Sequence, residues 1–169
     1  LYSFVRVIID DKDINHLEDS SKLVSNLEKV FSRSFENVSI QRGYKDPQPE
    51  DLVIRPIKLW YDVRGEYHKK TCKLELLSIV SLNDYSDQYN VWAGGASSAS
   101  LLEMLVGTAL DVVTLTAVRK LEGSAHEKGA INEAIESAVV KLHNTIISSN
   151  TIKEAIKYAQ FKKALPSDL

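Results

Sequence analysis

The chain has 169 residues, 44% of them hydrophobic and 26% charged, with a formal net charge of -2. This is ordinary globular composition, long enough for one domain with a proper core and too apolar for disorder. The near-neutral charge leaves no global field drawing the chain to nucleic acid or anionic lipid, and the single cysteine, Cys72, excludes an internal disulfide and any multi-cysteine zinc motif.

Phe4 to Ile9 is rich in β-branched residues and reads as a strand, ended by Asp10 and Asp11. A polar connection leads to Ser20–Ser34, where Leu23, Leu27, Val30 and Phe31 recur at helical spacing, with Asp19 or Ser20 as cap. Val38 to Gln41 reads as a short strand and 43–51 as a loop. Leu52 to Val63 is β-rich but contains Pro56, which cannot donate to a ladder, so that strand is expected at an edge, bulged or broken there. Gly65 marks a turn. In 71–82, Cys72, Leu74 and Leu76 alternate with Thr71, Lys73 and Glu75, giving the second strand of a hairpin. Beyond Leu76, apolar Leu77 and Ile79 predict cover on both faces.

Tyr89 to Trp92 reads as a short strand and Gly94–Ser100 as a flexible connector. A hydrophobic helix is expected over 100–121 and an amphipathic one over 130–148, with 123–129 a loop between them. A last helical piece, 152–164, stops at Pro166. Strands grouped ahead of helices predict one α+β domain over 1–169, a mostly antiparallel sheet with helices packed on one face.

The 100–121 segment is the most unusual. Leu101, Leu102, Leu105, Val106, Leu110 and Val113 belong to a nearly continuous apolar surface, while Glu103, Gly107, Asp111 and Thr114 form one narrow polar stripe. Three readings stand: a helix between the sheet and its neighbours, a helix docking on a partner or second copy, or a membrane segment. Two carboxylates make the last the most costly.

No catalytic or metal motif emerges. His16, His68, His126 and His143 form no i, i+4 pair and no ligand spacing, so neither metal nor cofactor is expected. Cys72 has three nearby lysines but shares the apolar strand phase, the pattern of an inert buried thiol. Gly94-Gly95-Ala96 lacks the lysine of a phosphate loop, and Ser97, Ser98 and Ser100 lie in no nucleophile elbow. Trp60 and Tyr61 near Lys58 and Arg64 are aromatics interleaved with cations. Packing is the expected role, and a nucleic-acid partner is not.

The sequences 52–61 (LVIRPIKLWY), 72–82 (CKLELLSIVSL), the Gly94-Gly95 lead into 101–118, and 130–142 (AINEAIESAVVKL) together carry a resemblance. In element order the chain resembles small bacterial envelope lipoproteins, including ABC-transporter auxiliary lipoproteins. The resemblance implies a lipid-tethered, periplasm- or outer-membrane-located accessory of assembly or transport, with no catalytic residues. Its anchoring cysteine would lie upstream of Leu1, where the absence of a leader-like start also places any targeting signal.

The expectation is therefore a non-enzymatic domain acting by contact with a protein partner or as a homo-oligomer, through the 101–118 helix and the edge near Pro56. Two alternatives remain. One is a small-molecule binder or enzyme with a pocket between sheet and helices, its loose candidates Asp111, Glu103 and Tyr61. The other is a cytosolic regulatory or nucleic-acid-associated module.

Overall fold

The computed structural model describes residues 2–66, 69–98 and 112–164. Among these, β1 (Tyr2–Ile9), α1 (Ser20–Phe31), β2 (Phe35–Ile40), β3 (Asp51–Arg64), β4 (Lys69–Leu82), β5 (Tyr85–Ser98), α2 (Val112–Ser148) and α3 (Asn150–Ala164) follow in chain order. The fold is α+β. The five strands lie in the order β2-β1-β3-β4-β5. They form a mixed sheet rather than the mostly antiparallel one expected, because β1 pairs in parallel with both β2 and β3. A parallel neighbour needs a crossover, and α1 supplies it between β1 and β2. The β4–β5 connection is two residues long, which only antiparallel neighbours allow. Asn83 begins that turn with φ of 53°, a value Asn tolerates.

The chain divides into two compact units: Leu1–Leu59 with Leu76–Val91 and Val139–Leu169, and Trp60–Glu75 with Trp92–Ala138. In the first, Val7, Ile8 and Ile9 are buried in succession, as in a strand covered on both faces. The apolar face of α1 (Leu23, Leu27, Val30, Phe31) is buried in the same unit, as are Leu142, Ile146, Ile152 and Ile156 of the last two helices. In the second unit, Cys72, Leu74, Ala93, Ala130, Ala134 and Ile135 are buried.

Three expectations are corrected. Pro56 is buried in an internal strand, not at an exposed sheet edge. It does mark the end of a ladder. The amides of Arg6 and Asp10 donate to the carbonyls of Glu50 and Ile54, so even-numbered residues of β3 turn their polar groups toward β1. Pro56 is the next even-numbered position and has no N–H to give the Asp10 carbonyl, and the registered β1 pairing ends before it, at Ile54: the ladder is broken at the proline, one of the outcomes expected. The connector Gly94–Ser100 is strand through Ser98, and β5 is fourteen residues long rather than a short piece. The 123–129 loop is helix: α2 runs unbroken through it for 37 residues. Past Leu76 the second face is partly covered, in the direction expected: Ser78, Val80 and Leu82 are buried, and Leu77 and Ile79 are half-buried where Lys69, Thr71 and Lys73 of the same phase are exposed.

Candidate functional site

Two buried carboxylates hold the loop between β2 and β3. Asp10, at the end of β1, accepts the Gly43 amide at 2.7 Å, the Tyr44 amide at 3.2 Å and the Lys12 amide at 3.2 Å, and pairs with Arg55 at 2.9 Å. Gly43 takes φ of 64°, a conformation that favours glycine. Asp51, at the start of β3, receives Arg6 in a two-pronged contact of 2.7 and 2.9 Å, the Tyr44 hydroxyl, and the Gln48 amide at 2.8 Å. Burial pushes both carboxyls up. At Asp10 the Gly43 and Lys12 amides and Arg55 outweigh it; at Asp51 Arg6, Tyr44 and the Gln48 amide do. Both titrate below the ordinary 3.8. Each carboxylate is saturated by the groups that fold the loop, so this cluster is a clasp rather than a reactive site.

His143 of α2 is a further buried titratable group. Its Nε2 lies 2.9 Å from the Ser34 hydroxyl, and its ring meets Phe31 edge-on at 5.0 Å. Burial pushes the imidazole down, Asn144 opposes this, and Arg33 adds to the depression. Neutral imidazole packed on an aromatic is a core role.

In the second unit α2 sits unusually close to β5. A Cβ on Gly95 would fall 2.2 Å from the Ala130 carbonyl oxygen, and one on Gly129 would fall 2.8 Å from the Ser97 hydroxyl. Two polar bonds stitch this seam: Ala96 N–H to Glu133 at 2.8 Å, and Ser97 Oγ to His126 Nδ1 at 3.1 Å. A serine–histidine pair invites a nucleophile reading. That chemistry needs a third group orienting the base, and the glycines on either side make the bond a packing tether. Among the described residues no three His, Cys, Asp or Glu side chains gather to hold a metal.

The other face of these strands is the feature that sequence reasoning missed. Along β5, Ser86, Gln88, Asn90, Trp92, Gly94 and Ala96 are all exposed, while Val91 and Ala93 are buried. On β4, Lys69, Thr71 and Lys73 are exposed, while Cys72 and Leu74 are buried. Trp60 and Trp92 are both 45% exposed, and their rings meet at 6.3 Å in a near-perpendicular arrangement. The Lys73 ammonium stands 4.9 Å from the Trp92 ring centroid, a cation–π contact. Beside the pair is a surface depression of about 300 Å³ lined by Asp62, Arg64, Thr71, Cys72 and Lys73. Asp62 is tied to Arg64 at 2.6 Å. Trp60 was expected in core or edge packing and instead stands half in water. Its phase showed this: Lys58, Trp60, Asp62 and Arg64 alternate with Ile57, Leu59, Tyr61 and Val63.

The interface residues expected from sequence fall mostly outside what the structure describes. Leu101, Leu102, Leu105, Val106 and Leu110, with Glu103 and Asp111 of the polar stripe, lie outside the described residues. Val113 and Thr114 lie in the first turn of α2. Tyr61 is half-buried in β3. Among the described residues no helix is long and apolar enough to cross a membrane.

No family model and no curated protein matches the chain. Among solved structures it is similar to a hypothetical protein of Chlamydia trachomatis, at 6% identity and a TM-score of 0.35, over 83% of this chain and 96% of that one.

Proposed function

We propose that the chain is a non-enzymatic accessory domain of the bacterial envelope, of lipoprotein type. In this reading it serves assembly or transport by protein–protein contact, at the periplasm or outer membrane. The observation that carries the contact reading is the Trp60–Trp92 face. Two large aromatic side chains meet on one sheet surface and each keeps nearly half its area in water. Folding gains little from leaving them there, whereas tryptophan anchors dominate the energetics of interfaces. The envelope assignment rests on the resemblance in element order, and with it comes a sheet whose helices pack on one face. The seating of α2 on Gly95, with Trp92 in the opposite strand phase, supports that layering. The neighbouring depression, at about 300 Å³, is at the lower limit for an enclosing small-molecule pocket, which favours a contact surface over a ligand cavity.

The test is photo-crosslinking in the source cells from a reactive residue at position 92, with position 86 on the same strand phase as control. One protein adduct that recurs from 92 and is absent from 86, in the envelope fraction, is the expected result. Adducts equal at both positions would remove the contact reading, and a cytosolic protein would remove the envelope assignment.

A further inference from the structure

We infer that the partner presents an acidic segment carrying apolar side chains to the Trp60–Trp92 face, an inference that rests on the protein-contact reading above. The argument is charge. The whole chain is net negative at -2, yet the exposed lysines on this face, Lys69 and Lys73, add two positive charges to it. Asp62 and Arg64 pair at 2.6 Å and cancel, and Glu75 is buried. The face is therefore basic and aromatic on an acidic protein. Complementary charge steers such a surface to an acidic partner, while the two indoles supply apolar anchors.

Spacing narrows the class. Lys69 and Lys73 occupy the same phase of one strand, so their Cα atoms stand roughly 13 Å apart. An extended segment places carboxylates on one side with the same repeat. It meets both lysines while an apolar residue rests against Trp60 and Trp92. A polyanion is a poorer fit. Nucleic-acid binding draws its strength from many phosphate contacts, and this face offers few cations.

The chain has two tryptophans and both are on this face, so its tryptophan emission reports the site alone. The probes are short tryptophan-free peptides: one repeating Glu-Ser-Leu-Ser, which sets Glu and Leu on one side of an extended chain, its Lys–Leu counterpart repeating Lys-Ser-Leu-Ser, and one repeating Glu-Ser-Gly-Ser. Oligothymidylate and vesicles of phosphatidylglycerol with phosphatidylcholine complete the set. The Glu–Leu peptide is expected to shift the emission to the blue and shield it from acrylamide, with the other probes inert. A K69E/K73E double variant is expected to transfer the response to the Lys–Leu peptide, and W92A to weaken it roughly ten-fold or more. A Lys–Leu response equal to Glu–Leu in the native chain overturns the acidic assignment and leaves the contact reading standing. A response to oligothymidylate or vesicles without one to Glu–Leu overturns it in favour of nucleic acid or lipid. Silence from every probe overturns the acidic assignment, and the crosslinking from position 92 then decides the contact reading separately.

Discussion

Gly94 and Gly95 are neighbours in one strand, both with ordinary backbone angles, and alanine at the two positions is expected to have opposite consequences. At Gly94 an added Cβ meets nothing nearer than the Cys72 carbonyl oxygen at 3.7 Å. The G94A variant therefore adds no strain and reduces the freedom of the unfolded chain, which stabilises by up to about 1 kcal/mol. At Gly95 the same methyl lands 2.2 Å from the Ala130 carbonyl oxygen and 2.5 Å from the Ala134 nitrogen. These are helix backbone atoms and cannot rotate aside, so α2 must recede by about 1 Å in an interior with little slack. Overpacking of this kind costs about 1–3 kcal/mol. Recession also stretches the Ala96–Glu133 and Ser97–His126 bonds on the same seam, each worth about 1 kcal/mol. A total near 3 kcal/mol follows for G95A.

Both tryptophans belong to the same compact unit as this seam, so their emission during a thermal melt follows the unit under test. For a chain of this size 3 kcal/mol lowers the midpoint by roughly 6–12 °C. G94A should melt at or slightly above the parent. Equal midpoints for G94A and G95A would refute the close seating of α2 on β5, and with it the helix-covered phase of the strand.

Removing Asp51 by D51A takes away the partner of the Arg6 guanidinium, the Tyr44 hydroxyl and the Gln48 amide; with Arg6 44% exposed and so hydrated afterwards, the cost in urea melts is about 2 kcal/mol. Asp10 and Asp51 both titrate below 3.8 when folded, so the stability they give is complete above that value and is lost as pH falls through their folded values. Acid titrations of stability should therefore steepen below pH 3.8 in the parent and flatten in D10N/D51N. His143 behaves in the same sense at higher pH. Its folded value is depressed below 6.5, so its contribution is full above 6.5 and declines below it, a dependence that His143→Gln should remove from urea midpoints measured across that range. At Gly65, φ of 115° and a built Cβ 2.2 Å from the Lys69 carbonyl oxygen both exclude a side chain. G65A should cost about 2 kcal/mol or more and is checked by the same melts.

Much of the first half of the chain was legible because its signals are local. The switch from β-branched alternation in 4–9 to helical spacing at Leu23, Leu27 and Val30 locates β1 and α1, and the structure extends or trims each by a few residues. Strand partners were not legible. Nothing local to 4–9 announces that β1 lies between two parallel neighbours, because register and order are set by where the 41–50 loop crosses. That crossing depends on Asp10 and Asp51, carboxylates that read in sequence as ordinary strand-end polar residues. The clasp becomes visible only when Arg6 and Tyr44 are brought to them from 45 and 7 positions away.

The glycines misled for a related reason. Gly94, Gly95, Gly123 and Gly129 were read as conformational freedom, as connector and breaker, yet none of them takes a positive φ in this fold. Gly95 and Gly129 are there for want of a side chain, where strand and helix touch at backbone distance. The same contact explains the tryptophans. Once α2 lies against the odd-numbered phase of β5, the even-numbered phase is left to water, and Trp92 falls on it with Ser86, Gln88 and Asn90. A tryptophan sharing its phase with polar residues is a stronger sign of exposure than its hydrophobicity is of burial. Applied to Lys58, Trp60, Asp62 and Arg64, the same reasoning puts the second indole on the same side, so the candidate surface follows from strand phase once the helix is placed.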